Sequence, residues 1–158
     1  MTEEDRIERL VCEYGRMLVR LAASRLDSVA DAEDAVQDVF CTLVSKKLVF
    51  VDPEYEKAWL IRATINRASR RKSRLNVPLD EARAVPDDAA ETERRGREML
   101  ACVRALPEKY AVVLHLHYYE GCGLREIGVM LRVPAATVGT RLARGRARLK
   151  ALLEEESL

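Results

Sequence analysis

The chain is poor in the residues that break helices or build β-turns: 7 Gly and 5 Pro in 158 residues, with an aromatic content of 5%. That scarcity argues against an all-β fold dense in turns. No stretch approaches the roughly 20 apolar residues of a membrane span. The start, MTEEDRIERL, is acidic and has no signal-peptide apolar run, so no membrane insertion is expected. The four cysteines, Cys12, Cys41, Cys102 and Cys122, are scattered without a CxxC pair. Reduced thiols in a cytoplasmic protein are the expectation. A Gly-rich phosphate loop, an HExxH helix and a nucleophile motif are all missing, and no internal repeat occurs. Neither enzymatic chemistry nor a cofactor is expected.

Hydrophobic residues make up 48% of the chain and charged residues 34%, enough for a real core with heavily charged helices. The net charge of +1 hides segregation. Lys57–Arg74 holds seven bases and no acid, and Arg132–Lys150 holds six bases and no acid. Two basic stripes on a near-neutral chain imply two contacts with a polyanion.

Apolar residues recur at helical spacing through residues 5–26, at Ile7, Leu10, Val11, Tyr14, Leu18 and Leu21. Ser28 or Asp31 can cap a second helix running to about Lys46. Its inward face is Ala32, Ala35, Val36, Val39, Phe40, Leu43 and Val44; Asp34, Gln37, Asp38 and Cys41 lie opposite. That polar, anionic face is either simply solvated or a docking surface for a basic partner.

After a connection at 47–56, a third helix spans about Glu54–Arg74, with Ala58, Ile61, Ile65 and Ala68 inward and Trp59 assigned to the core. Arg62, Asn66, Arg70 and Arg74 recur every four residues, with Arg67 and Arg71 beside them. Guanidiniums flanking an Asn suit phosphate contact with some base contact. The competing reading is a salt-bridged surface helix, but no acid stands at i±4 to pair with these arginines. Residues 76–90, NVPLDEARAVPDDAA, lose all periodicity and read as an acidic flexible linker.

Beyond it, Glu91–Leu106 is a helix with Met99, Cys102, Val103 and Leu106 inward, and Pro107 opens the next. A helix from Leu124 breaks at Arg132–Pro134 and is followed by a longer one. The latter carries Val138, Leu142 and Leu149 on one side and Thr137, Thr140, Arg141, Arg144 and Arg148 on the other. This is the pattern of a DNA-reading helix-turn-helix. A metal or thiol site from Cys102, His115, His117 and Cys122 is disfavoured, because helix residues two apart do not share a face.

Three blocks in order, DAEDAVQDVF at 31–40, WLIRATINRASRRKSR at 59–74, and LPEKYAVVLHLHYYEG at 106–121 followed by the helix-turn-helix, make the chain resemble the extracytoplasmic-function group of sigma-70-type RNA polymerase sigma factors. The resemblance implies an all-α protein of two small helical domains. Residues 1–75 would form the region 2 domain, 76–90 the linker and 91–158 the region 4 domain. It implies core RNA polymerase as a partner, with Asp34, Gln37 and Asp38 on the β′ clamp helices and region 4 at the β flap. Asn66, Arg67, Arg70, Arg71 and Arg74 would contact the minus-ten promoter element, and Val51–Tyr55 would hold a flipped base. Thr137, Thr140, Arg141 and Arg144 would read the minus-thirty-five element, with Arg125 on a phosphate. An anti-sigma factor is a further implied partner.

The chain departs from the family where promoter sequence is read. Arg132 stands where Gly is common in the turn; a left-handed backbone there should cost about 1 kcal/mol or more. Gly139 and Gly145 interrupt the second helix, each costing roughly 0.8–1 kcal/mol against Ala. Gly145 falls on the buried stripe and Gly139 near the DNA face, and Pro134 replaces a common capping Ser. The alternative to a sigma factor is a polymerase-independent helix-turn-helix regulator. It accounts for Leu124–Lys150 but not for the acidic and basic faces before the linker.

Overall fold

The computed structural model describes residues 2–74 and 91–156, so the expected linker 76–90 lies outside the described residues. Seven α-helices and one π-helical segment make up the described chain. The first helix, α1 (Glu3–Ala23), opens on a capping box. The Thr2 hydroxyl accepts from the Asp5 N–H, and the Asp5 carboxylate accepts from the Thr2 N–H, each at 3.2 Å. Glu3, Glu4 and Asp5 also meet the positive end of the helix dipole.

Ser28 caps α2 (Val29–Ser45), its hydroxyl accepting from the Asp31 N–H at 3.3 Å. Asp31, the other candidate cap, therefore sits within the first turn. The helix stops at Lys47, whose φ of 52° turns the chain left-handed, and the Leu48 N–H reaches back to the Leu43 carbonyl. The third helix, α3 (Pro53–Arg74), lies against both. Leu10, Leu18, Leu21, Ala32, Ala35, Leu43, Leu60 and Ile61 are essentially inaccessible to solvent and form the centre of this bundle. Two residues expected inward, Val11 and Val44, are instead exposed at 45% and 43%, because each lies on the shoulder of its helix. Trp59 is half-buried, its ring centroid 5.7 Å from that of Phe50.

The second group comprises α4 (Glu91–Ala105), α5 (Glu108–Leu114), the π segment His115–Tyr119, α6 (Leu124–Leu131) and α7 (Ala135–Glu156). Pro107 stands one place before α5 and accepts from the Tyr110 and Ala111 N–H groups. Met99, expected inward, is 42% exposed. The π segment has no signature in the apolar spacing. Its wider turn lets His115 bond Glu120 at 2.9 Å while His117 bonds the Cys122 carbonyl at 2.8 Å, so the two imidazoles serve different partners.

Arg132 adopts the expected left-handed conformation, with φ 60° and ψ 44°, and the next N–H, of Val133, closes back on the Gly128 carbonyl at 2.9 Å. Gly128 is required by this turn: a Cβ would lie 2.7 Å from the Val133 carbonyl oxygen. Gly145 does permit close helix approach, since a Cβ there would sit 3.2 Å from both Tyr110 Cβ and Leu114 Cδ1. A Cβ on Gly139 would meet Leu124 Cδ2 at 3.4 Å, so this position faces the start of α6.

The two groups pack together through basic side chains seated on carbonyls at helix ends. Buried Arg25 donates to the Leu106 and Val103 carbonyls at 3.2 and 3.3 Å, and Arg104 donates to the Ala23 carbonyl at 2.9 Å. Lys72 reaches the Arg104 carbonyl at 2.8 Å, and Arg62 reaches that of Met130 at 2.8 Å. Each of these carbonyls lies in the last turn of its helix or just beyond it, at the negative end of the dipole. Burial pushes the Arg25 and Arg104 guanidiniums below their ordinary pKa, the desolvation being set against favourable Glu108 and Asp27 fields respectively.

Candidate polymerase and nucleic-acid interfaces

The acidic face of α2 and the basic face of α3 are neighbours. Asp34 and Gln37 are exposed and Asp38 half-buried on the α2 surface. Arg71 spans that surface from α3: Nη2 is 3.1 Å from Asp34, Nη1 3.5 Å from Asp38, and Nε 3.8 Å from Asp31. Arg67 Nε lies 3.9 Å from Asp38. The acids that pair these arginines thus come from the adjacent helix, where an i±4 search on α3 could not find them. Asn66 and Arg70 remain exposed on the outer edge of α3. Arg62 is drawn away to Met130, and the Arg74 side chain lies outside the described residues. Of the expected minus-ten set, the structure brings Asn66 and Arg70 to open surface and divides Arg67 and Arg71 between that surface and α2.

The α2–α3 connection is open to solvent. Val51 is fully exposed and Tyr55 is 63% exposed, whereas Phe50 packs toward Trp59.

Thr137, Thr140, Arg141 and Arg144 come together along one side of α7, around a groove of about 290 Å³ that also borders Lys109 and Tyr110. Thr140 and Arg144 are exposed, Thr137 and Arg141 half-buried. The Thr140 hydroxyl donates to the Ala136 carbonyl, which fixes its rotamer on the outer face. Arg125 is exposed at the start of α6. Next to it, Glu126 takes an ion pair from Lys57 of α3 at 3.2 Å.

Contacts between residues far apart in sequence had no local signature. Arg20 of α1 pairs with Glu120 at 2.8 Å, 100 residues away in sequence. A cavity of about 730 Å³ opens beside this pair, lined by Ala23, Leu100, Val103, Leu114, His115 and Leu149 among others. No group of His, Cys, Asp and Glu among the described residues could hold a metal ion, and no described helix is long and apolar enough to cross a membrane.

Two helical units with a helix-turn-helix in the second define a DNA-binding regulator or initiation factor. Residues 10–76 match the family Sigma-70 region 2, and residues 96–149 match Sigma-70, region 4. The chain is 31% identical to the ECF RNA polymerase sigma factor SigM of Mycobacterium tuberculosis, over 92% of this chain and 76% of that protein. It is 26% identical to the ECF RNA polymerase sigma factor SigW of Bacillus subtilis, over 97% of this chain and 91% of that protein. Among solved structures, CnrH in complex with the cytosolic domain of CnrY has the same fold, with a TM-score of 0.73 and 21% identity over 97% of this chain and 90% of that one. So has the sigma factor RpoE in complex with the anti-sigma factor NepR from Bartonella quintana, with a TM-score of 0.69 and 18% identity over 93% of this chain and 96% of that one. The chain belongs to the sigma-70 family and is an extracytoplasmic-function sigma factor, a non-enzymatic protein that directs RNA polymerase to initiate transcription.

Proposed function

We propose that residues 1–75 dock this sigma factor on core polymerase and engage the minus-ten element, that 76–90 link the domains, and that 91–158 engage the minus-thirty-five element. Asp34, Gln37 and Asp38 meet the β′ clamp helices. Asn66 and Arg70, with Arg67, Arg71 and Arg74 beside them, follow the minus-ten DNA, and Tyr55 offers an exposed ring on which an unpaired base can stack. Thr137, Thr140, Arg141 and Arg144 enter the major groove, where Arg pairs bidentately with guanine and Thr touches phosphate or a thymine methyl. Arg125 adds a phosphate contact, and region 4 rests on the β flap. The protein works in the cytoplasm, where the polymerase is. The observation that supports this reading is one helical chain with acidic residues along α2 and basic residues along α3 and α7.

An anti-sigma factor is a further partner in this reading, supported by the complexes formed by CnrH and RpoE. Run-off transcription with core polymerase tests the whole assignment. Promoter-specific transcripts that appear only with this protein support it; DNA binding without polymerase association supports the polymerase-independent regulator instead.

A further inference from the structure

The cavity of about 730 Å³ lies where α1 meets α4, the π segment and α7, and shares no lining residue with the groove beside the recognition helix. Ala23, Leu100, Val103, Leu114 and Leu149 supply its apolar wall. Met99, Tyr118 and Tyr119 also line it and are 42%, 55% and 68% exposed. Large apolar side chains gathered in the open around a concave surface mark a binding site. The volume falls within the range of about 300–1,000 Å³ typical of small-molecule sites.

Two arginines flank this wall, and they differ. Arg20 is neutralised by Glu120, with Nη2 2.8 Å from Oε1 and Nε 3.3 Å from Oε2, and the same carboxylate meets His115 Nε2 at 2.9 Å. Arg146 has a neutral partner: it donates to the Tyr118 hydroxyl, and its Cζ lies 5.9 Å from that ring's centroid. No carboxylate among the described residues pairs with Arg146, and none of the described lining residues is acidic. The cavity therefore joins an apolar wall to a cation with uncompensated charge.

We propose that this cavity binds a small amphipathic anion, an alkyl carboxylate, whose chain lies against Leu100, Val103, Leu114 and Leu149 and whose head pairs with Arg146. Seating the chain releases water from the apolar wall, and a charge-assisted pair fixes the head. A cationic ligand would meet Arg20 and Arg146 as like charges, and a neutral one would leave Arg146 unused. Since Ala23 belongs to α1 and the leucines to α4, α5 and α7, the ligand touches both helical groups.

The probe is dodecanoate below its micelle-forming concentration, titrated into the full chain by calorimetry, with dodecanol as its neutral counterpart. The wild type should bind one dodecanoate per chain, more tightly than dodecanol. Arg146→Gln should lower dodecanoate affinity by roughly tenfold and leave dodecanol affinity unchanged. Gly96 lines the cavity, and a Cβ there would meet nothing within 4 Å, so Gly96→Trp adds an indole without displacing a neighbour. It should abolish binding of both probes while the circular dichroism stays helical. Dodecanoate uptake that does not saturate, or an affinity that neither variant changes, overturns the proposal. An equal loss of dodecanol affinity in Arg146→Gln overturns the pairing of the head. Binding of an amphipathic peptide where dodecanoate fails to bind would give the cavity to a protein partner and overturn the proposal as well.

Discussion

Arg71 reaches across from α3 to Asp34 on α2, Nη2 to Oδ2 at 3.1 Å, and the same guanidinium also faces Asp31 and Asp38. The surface proposed for polymerase and the surface proposed for the minus-ten element are therefore joined electrostatically. Partly exposed pairs of this kind contribute little to stability, about 0–1 kcal/mol. Their consequence is for binding. Asp38→Asn should weaken core association in a pull-down or anisotropy assay without lowering the melting temperature appreciably. Arg71→Gln should leave core association intact while weakening promoter binding. A loss of core affinity on Arg71→Gln would mean that the arginine orients the docking acids.

Arg141→Ala should cost the holoenzyme about 1–3 kcal/mol at its promoter and leave core affinity unchanged. The loss should concentrate at one base pair, measured by comparing promoter duplexes substituted singly through the minus-thirty-five region. A uniform loss across all duplexes would make Arg141 a phosphate contact.

Arg132 carries a positive φ of 60° in the helix-turn-helix. Arg132→Gly should stabilise the protein by about 1 kcal/mol, seen as a higher midpoint in urea. Gly128→Ala should do the opposite, since its Cβ would enter the Val133 carbonyl at 2.7 Å. Destabilisation by Arg132→Gly would show that the arginine side chain makes a contact worth more than the strain.

His115 is held below its ordinary pKa of 6.5, mainly by burial, with Glu120 acting in the opposite direction. Between its folded value and 6.5 the unfolded chain binds more protons, so this group's contribution to stability is present above 6.5 and is lost as pH falls below it. The urea midpoint should decline from pH 7.5 to 5.5, and His115→Gln should lessen that decline. An identical decline in the variant would assign the acid sensitivity to other groups.

The apolar periodicity showed the helices and most core positions, because a single buried stripe on each helix leaves a 3.6-residue repeat. The left-handed Arg132 and the close approach at Gly145 were also legible, since each follows from one residue's steric demands. The ion pairs of Arg67 and Arg71 were not, because their partners lie on another helix and only packing brings them near. The same holds for Arg25, Arg62 and Arg104, whose acceptors are main-chain carbonyls of no particular residue type. The π segment at His115–Tyr119 leaves no trace because its extra residue is absorbed within one turn. In the candidate sites, chemistry by residue type survived folding; exposure and pairing depended on tertiary contacts.

The most direct test is run-off transcription by purified core polymerase on a genomic promoter library, with and without this protein. The proposed roles predict a defined set of transcripts that requires the protein, is lost with Arg141→Ala through promoter binding, and is reduced with Asp38→Asn through core binding. A transcript set unaltered by both variants would contradict the assignment of these two faces.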